Sequence, residues 1–200
     1  MKILLIGAHG LIGRAVATEL GARHEIVRAG RQGADLQVDI TDPESIRAMY
    51  ARTGRVDAVV SAAGHAYFGP LASMTEANVY VGIRDKLMGQ VNLVLLGQDV
   101  VSDGGSFTLT TGVLADDYIR NGAAASLVNG GVEAFARSAA LELPRGIRIN
   151  VVSPTVITEA LDKYGPFFRG FPSVTAARAA LGYAKSVEGA QTGQIIRIHG

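Results

Sequence analysis

The chain has no cysteine and no tryptophan, and only 18% of its 200 residues are charged and 6% aromatic. Without cysteine there is no disulfide framework, no thiolate zinc or iron–sulfur site and no thiol nucleophile. Lysine and arginine number 19 against 18 acidic residues, a net charge of +1. That balance lacks the basic excess of a nucleic-acid-binding face, so no nucleic-acid partner is expected. No apolar run approaches the roughly 18 residues of a membrane span. The opening residues 1–6 are too short for the apolar part of a secretory leader. A soluble, cytoplasmic chain with no membrane partner is therefore expected. The four histidines (His9, His24, His65 and His199) show no metal-ligand spacing, so no metal is expected either. What is plentiful is hydrophobic residues, 48%, and glycine, 25 residues. Low charge with many glycines suits strands covered on both faces and joined by tight turns. The length fits one domain, residues 1–200, large enough to fill a core without covalent staples.

Short continuous apolar runs mark seven candidate strands, at residues 2–6, 25–29, 36–38, 57–61, 106–110, 148–152 and 194–198. They lack polar alternation, as strands buried on both faces do. Longer amphipathic stretches between them predict helices over residues 11–20, 43–52, 75–101, 121–143 and 173–186. Pro43 directly behind Thr41-Asp42 is a helix start, with a capping oxygen before a first-turn proline. Strand and helix alternate throughout, which predicts an α/β fold: a parallel sheet with helices on both faces and right-handed crossovers. Residues 155–172 carry glycine, proline and aromatics without periodicity and read as a loop over the carboxyl edge of the sheet.

Gly7-Ala8-His9-Gly10-Leu11-Ile12-Gly13 follows the first strand and opens the first helix. Glycines let backbone approach a phosphate closely, and the free N–H groups of a helix start favour an anion. The third glycine, Gly13, permits close helix–sheet packing. The spacing is G-x-x-G-x-x-G rather than the usual G-x-G-x-x-G, so position in the fold carries more of this argument than the spacing does. An NAD-binding fold places an acid after the second strand to grip the ribose. Here that strand ends in Arg28-Ala29-Gly30-Arg31, without an acid. A guanidinium suits the extra phosphate of NADP by charge and by its fork of donors. Arg31 therefore favours NADP over NAD, with Arg28 the second candidate.

From these motifs the chain resembles the short-chain dehydrogenase/reductase family along nearly its whole length. The resemblance rests on the glycine turn, on Asp39-Ile40 after the third strand, on Ser61-Ala62-Ala63-Gly64 after the fourth, and on Phe68-Gly69-Pro70-Leu71. Its longest stretch is residues 133–154, from Glu133 through Leu141-Glu142-Leu143 to Asn150-Val151-Val152-Ser153-Pro154. It implies a single-domain Rossmann fold, a doubly wound parallel sheet of about seven strands. It also implies hydride transfer between a nicotinamide and a small carbonyl or alcohol substrate. In the family, Asp39 and Ile40 would border the adenine, and Ala62, Ala63 and Gly64 would follow the cofactor chain. Pro154, Val156 and Thr158 would meet the nicotinamide amide. His9 lies inside the phosphate turn.

The family's proton machinery maps onto this chain only with substitutions. Its substrate-orienting serine falls on Thr111, and its helix asparagine on Lys86. Its lysine falls on Asn129, and its tyrosine on Ala125. None of the six tyrosines is followed by lysine four residues later. Alanine cannot move a proton, and general acid–base help is typically worth about 10²–10⁴-fold. Lysine and asparagine look exchanged between neighbouring helices, so Lys86 is expected to reach the nicotinamide ribose from the other side; a buried pair with Asp85 or Asp103 is the plainer reading. Three residues are candidates for the missing proton donor: His65, Tyr118 and Lys86. Val113, Leu114, Phe167, Phe168 and Phe171 are expected to wall an apolar substrate pocket. The alternative function is a catalytically inert NADP(H)-binding sensor or scaffold. The resemblance further implies a homodimer through the two long helices, or a tetramer. The small residues Gly89, Gly97, Gly130, Gly131 and Ala134 would permit close helix approach.

Overall fold

A computed structural model of the chain describes all 200 residues. Seven strands form one sheet: β1 (Lys2–Ile6), β2 (Glu25–Gly30), β3 (Leu36–Gln37), β4 (Val56–Ser61), β5 (Val101–Thr110), β6 (Arg148–Pro154) and β7 (Ile195–Ile198). Their order is β3-β2-β1-β4-β5-β6-β7, and every neighbouring pair is parallel. Successive residues of a strand face opposite sides, so each strand feeds two cores. On β1, Ile3 and Leu5 join Val16, Leu20 and Tyr183 beneath α1 (Leu11–Gly21) and α7 (Ala176–Glu188). Leu4 and Ile6 join Met49, Leu93, Phe107 and Val132 on the other side. That second layer is α2 (Pro43–Thr53), α3 (Glu76–Gly82), α4 (Met88–Gly97) and α5 (Ala123–Ala139). Each fully buried side chain of this size stabilises by about 1.5–3 kcal/mol relative to exposure.

Strand order reverses between β1 and β4, where chain crossovers leave on opposite faces. In open parallel sheets this switch point leaves a crevice beyond the carboxyl ends of the strands. Two glycines make it narrow. Gly7 has φ +81°, and a Cβ there would sit 2.7 Å from the Ala62 carbonyl oxygen. A Cβ at Gly13 would run into the Gly7 carbonyl. Local signals set the helix starts. Asp42 caps α2 by accepting from the Glu44 N–H, with Pro43 in the first turn. Thr75 and Asn78 form a reciprocal capping box on α3.

Three segments differ from the sequence expectation. Residues 75–101 are not one helix. A π-helical turn, Ile83–Leu87, separates α3 from α4, and α4 stops at Gly97. β5 begins at Val101 rather than Ser106. Its first part is polar and glycine-rich, and its pairing with β4 shifts register between Val56 and Ala58, so no apolar run marks it. Residues 155–172 are more ordered than a plain loop. They contain a 3₁₀ turn at Thr158–Ala160 and the short helix α6 (Leu161–Tyr164). The Glu159 carboxylate ties this segment down by accepting from Ala176 N–H, at 3.0 and 3.1 Å from its two oxygens. No helix is long and apolar enough to cross a membrane.

Three of the small residues on the long helices pack against neighbours within the chain. A Cβ on Gly89 would meet Ile40, and one on Gly97 would meet Tyr50 and Phe107. Gly131 sits against Leu87. These three let helices close on their own sheet and neighbours. Only at Gly130 would an added Cβ meet nothing within 4 Å.

Gly13→Ala is expected to lower unfolding free energy by about 1–3 kcal/mol, because the added methyl overlaps backbone. Gly130→Ala is expected to raise it by about 0.5–1 kcal/mol, because it only removes unfolded-state freedom within a helix. Denaturant midpoints at unchanged m value check both.

Candidate active site

Two clefts lie side by side along the carboxyl edge of the sheet and share Gly64 and His65. The first, about 380 Å³, runs from Gly7, His9 and Gly10 past Gly30, Arg31 and Ile40 to Asp85. It follows the start of α1, where unpaired N–H groups and the helix dipole favour an anion. Arg31 is largely exposed at its rim, with Nη2 3.0 Å from Asp85 Oδ2. The other Asp85 oxygen accepts from the His65 N–H at 3.1 Å. Asp85 thus ties the guanidinium to the β4 turn. Asp39 does not line this cleft. Its carboxyl is held below the usual carboxylate range, chiefly by bonds from the N–H and hydroxyl of Thr41. The neighbouring Ile40 does line it, and Arg28 does not.

The second cleft, about 430 Å³, is mostly apolar. Leu11, Ile12, Ala62, Val113, Leu114, Ala125, Val156 and Phe168 form much of it, with Lys86, Thr111, Asn129 and Pro154 among the remainder. The π-helical turn explains how Lys86 enters. The turn lies against Gly64, whose φ is +127° and where a Cβ would be 2.8 Å from Lys86 Cγ. Asp85 and Lys86 are adjacent in sequence, yet Asp85 serves the first cleft and Lys86 the second. Lys86 Nζ reaches the Thr111 carbonyl at 3.5 Å. Asp85 is committed to Arg31 and His65, so the buried pair with Asp85, the alternative reading of Lys86, does not form. Burial lowers the Lys86 ammonium to about 8, against a smaller upward pull from Asp85.

Helix α5 presents Ala125, Asn129 and Glu133 at four-residue spacing, all buried on one face. Asn129 Nδ2 reaches the Gly112 carbonyl at 3.5 Å, and its Oδ1 is buried without a partner. The Thr111 hydroxyl donates to Glu133 Oε1 at 3.1 Å. Thr111 therefore lines the cleft with its hydroxyl already joined to an acid behind it. Burial raises the Glu133 carboxyl above its usual value, while the bond from Thr111 pulls the other way. The end of β5 is held by Gln90 of α4. Its amide donates to the Thr110 carbonyl at 2.9 Å and accepts from the Thr110 N–H at 2.7 Å.

The fold therefore gathers Gly7, His9, Gly10, Leu11, Ile12, Arg31, Ile40, Ala62, Ala63, Gly64, His65, Lys86, Thr111, Asn129, Pro154 and Val156 along one continuous groove. Gly13 supports it from behind. It does not bring in Tyr118, which is 69% exposed and lines a separate depression with Gly69, Leu71 and Ile119. The helix that begins at Ala123 leaves this tyrosine on the preceding outer loop. Thr158 also lies outside the cleft lining, and its hydroxyl donates to Ser173 at 3.0 Å. Phe168 faces the cleft, Phe167 lines an adjoining side cavity, and Phe171 packs edge-on against Phe168. Sequence reasoning missed Asp85, Glu133, Gln90 and Tyr164. Glu133 was visible as the next residue on the 125–129 stripe. Asp85 had no signal, because its role depends on the π-helical turn.

The groove has the shape and donors for a dinucleotide. The backbone contacts at Gly7 and Gly13 hold the start of α1 close to the sheet, and Asn129 Oδ1 is a buried acceptor without a partner. A family model described as enoyl-(acyl carrier protein) reductase matches residues 11–192. The crystal structure of the protein lin1944 from Listeria innocua superimposes with a TM-score of 0.98 at 54% identity, over 99% of each chain. A small-chain dehydrogenase in complex with NADPH matches at a TM-score of 0.89 and 25% identity, over 99% of this chain and 96% of that one. A short chain dehydrogenase from Mycobacterium smegmatis shares the fold at a TM-score of 0.85 and 21% identity, over 100% of this chain and 91% of that one. No curated protein matches the chain.

Lys86 has a measurable signature in stability. The folded chain releases its proton near pH 8, the unfolded chain near 10.5. Between these values the unfolded state binds more protons, so stability contributed at this site rises with pH. The rise is expected to reach at most about 3 kcal/mol, and Lys86→Met is expected to lack it. Urea unfolding of both proteins at pH 8 and 10 measures the difference; a constant gap would contradict a depressed lysine.

Proposed function

Since the chain belongs to the short-chain dehydrogenase/reductase family, we propose that it is an NADP(H)-dependent oxidoreductase acting on a small carbonyl or alcohol, with a proton path that bypasses the family's tyrosine. The observation that carries this reading is the continuity of the two clefts at Gly64 and His65, with Arg31 at one end and Lys86 at the other. When bound, the nicotinamide would supply a hydride. The protein's own groups do the rest. The start of α1, with Gly10, Leu11 and Ile12, receives a pyrophosphate. Arg31 meets the extra phosphate of NADP, which competes with Asp85 for the guanidinium. Ile40 packs beside the adenine. Asn129 Oδ1 accepts from a ribose hydroxyl, and Lys86 Nζ approaches the same ribose from the opposite helix. Ala62, Ala63, Pro154 and Val156 line the path of the nicotinamide half.

Val113, Leu114 and Phe168 make an apolar wall for the substrate, with Tyr164 beside them. Water exclusion there strengthens any polar contact to the reacting oxygen. Lys86 and His65, which line the same cleft, are the candidate proton donors. An ammonium near 8 matches the pH at which such transfer is efficient. The second reading, an inert NADP(H)-binding sensor or scaffold, is favoured by one observation: Ala125 stands at the tyrosine position on the cleft face of α5.

We further propose a homodimer through α3, α4 and α5. Tyr80, Val81, Met88, Leu95 and Leu127 are 39–54% exposed on these helices. Apolar side chains exposed on these three helices suit a self-complementary twofold contact.

Calorimetry is expected to show tighter binding of NADPH than of NADH. Arg31→Ala is expected to weaken NADPH about 10–100-fold, the loss of a charged hydrogen bond, and to leave NADH nearly unchanged. Turnover of aldehydes, ketones or quinones, followed at the nicotinamide absorbance, separates the oxidoreductase from the sensor. Light scattering at micromolar concentration is expected to give a dimer mass, and Leu95→Glu with Leu127→Glu is expected to give a monomer.

A further inference from the structure

The chemistry of the proposed reaction needs a proton at the substrate oxygen, and the family's tyrosine is absent. Behind the cleft wall lies a second group able to hold one. Glu133 is 4% exposed, one helical turn beyond Asn129 on the same face of α5. Its Oε1 is 3.1 Å from the Thr111 hydroxyl, and Thr111 lines the cleft. On its other side, Oε2 lies 3.5 Å from Arg137 Nη2, whose side chain is 54% exposed. The acid therefore stands between the cleft and the solvent, joined to each by one contact.

We propose that Glu133 is the proton reservoir of the site and acts through the Thr111 hydroxyl. This rests on the oxidoreductase reading. A threonine hydroxyl has one proton and two acceptor positions, so its direction follows its partner. When Glu133 is a carboxylate, Thr111 donates to it and presents a lone pair to the cleft. When Glu133 is protonated, it donates to Thr111, and the Thr111 O–H turns to the substrate. In reduction, the hydride brings both electrons to the carbonyl carbon, and the π pair moves to oxygen. That oxygen takes the Thr111 proton, Thr111 takes the Glu133 proton, and a carboxylate remains. Water beside Arg137 restores the proton. Alcohol oxidation runs the same chain in reverse.

The surroundings suit a group that changes charge. Burial pushes the Glu133 carboxyl up, as does Asp116, which lies beyond β5. Arg137 on the same helix and Arg197 on β7 pull it down, as does the bond from Thr111. Asp116 is itself paired with Arg197 at 2.7 and 2.8 Å, and His199 follows on the same strand end. Two cations thus offset the buried acid without neutralising it through a close bidentate pair. Glu133 is a positioning and relay residue, since it touches Thr111 and not the substrate.

The test combines a titration of the cofactor-free protein with single-turnover kinetics. Carbon-13 NMR of labelled glutamate is expected to show one carboxyl titrating above the exposed glutamates and missing in Glu133→Gln. Thr111→Val is expected to move that midpoint higher still, because it removes a bond to the carboxylate. With NADPH and a carbonyl that wild type reduces, Glu133→Gln is expected to slow hydride transfer about 100-fold and flatten its pH profile. Its NADPH affinity should be unchanged. Thr111→Val is expected to match it, and the double variant to be no slower than either. Should Glu133→Gln fold poorly, Glu133→Asp keeps the acid and is expected to retain a pH-dependent, partly reduced rate. A Glu133 midpoint in the ordinary range, or a Glu133→Gln enzyme with wild-type rate and profile, would overturn the relay alone. A wild-type protein that binds NADPH but reduces no carbonyl would overturn the oxidoreductase reading, and the relay with it.

Discussion

The groove depends on backbone meeting backbone at the switch point of the sheet. Gly13 on α1 rests on the Gly7 carbonyl, and Gly7 rests on the Ala62 carbonyl at the end of β4. No side chain fits into either contact. The first helix therefore starts close against the sheet, and its N–H groups open onto the crevice between β1 and β4. Everything else in the site is arranged relative to that crevice. Ile40 and Arg31 border one end. The π-helical turn and the cleft face of α5 border the other.

A second constraint is desolvation at the inner end. Lys86 enters an apolar wall because Gly64 leaves room for its stem, and because Asp85 is turned away by Arg31 and the His65 N–H. A lysine that kept its neighbouring carboxylate would stay charged and inert. Here the turn of helix sends the two charges into different clefts. The opposite face of the groove carries neutral Asn129 on α5, so the only cationic side chain lining this cleft besides the titratable His65 is Lys86. Glu133 lies one turn further along α5, joined to the Thr111 hydroxyl.

The elements least visible in the sequence are those whose cause is not local. The capping box at Thr75 and the Asp42-Pro43 start are local, and both helices begin where those residues predict. The π-helical turn at Ile83–Leu87 has no proline or glycine pair to announce it; Lys86 within it lies against Gly64, and Gly89 just after it lies against Ile40. The first half of β5, Ser102-Asp103-Gly104-Gly105, is polar and forms the irregularity between the Val56–Val101 and Ala58–Ser106 pairs, so no apolar run announces it. Gly89 and Gly97 looked like places for a second subunit to approach, but their close neighbours are Ile40, Tyr50 and Phe107 of the same chain.

The sequence by itself determined the strand–helix alternation, the glycine turn, the arginine after β2 and the absence of any tyrosine with a lysine four residues on. These are matters of residue type and spacing, and each has a local physical reason. Only the tertiary structure decided that Tyr118 stands outside the site, that Asp39 is taken by Thr41, that Asp85 pairs with Arg31 rather than Lys86, and that Thr111 is joined to Glu133. The pairings of Asp85 with Arg31 and of Thr111 with Glu133 are choices among partners far apart in sequence. Which partner wins depends on distance and burial, and neither quantity exists until the sheet has brought its carboxyl edges together.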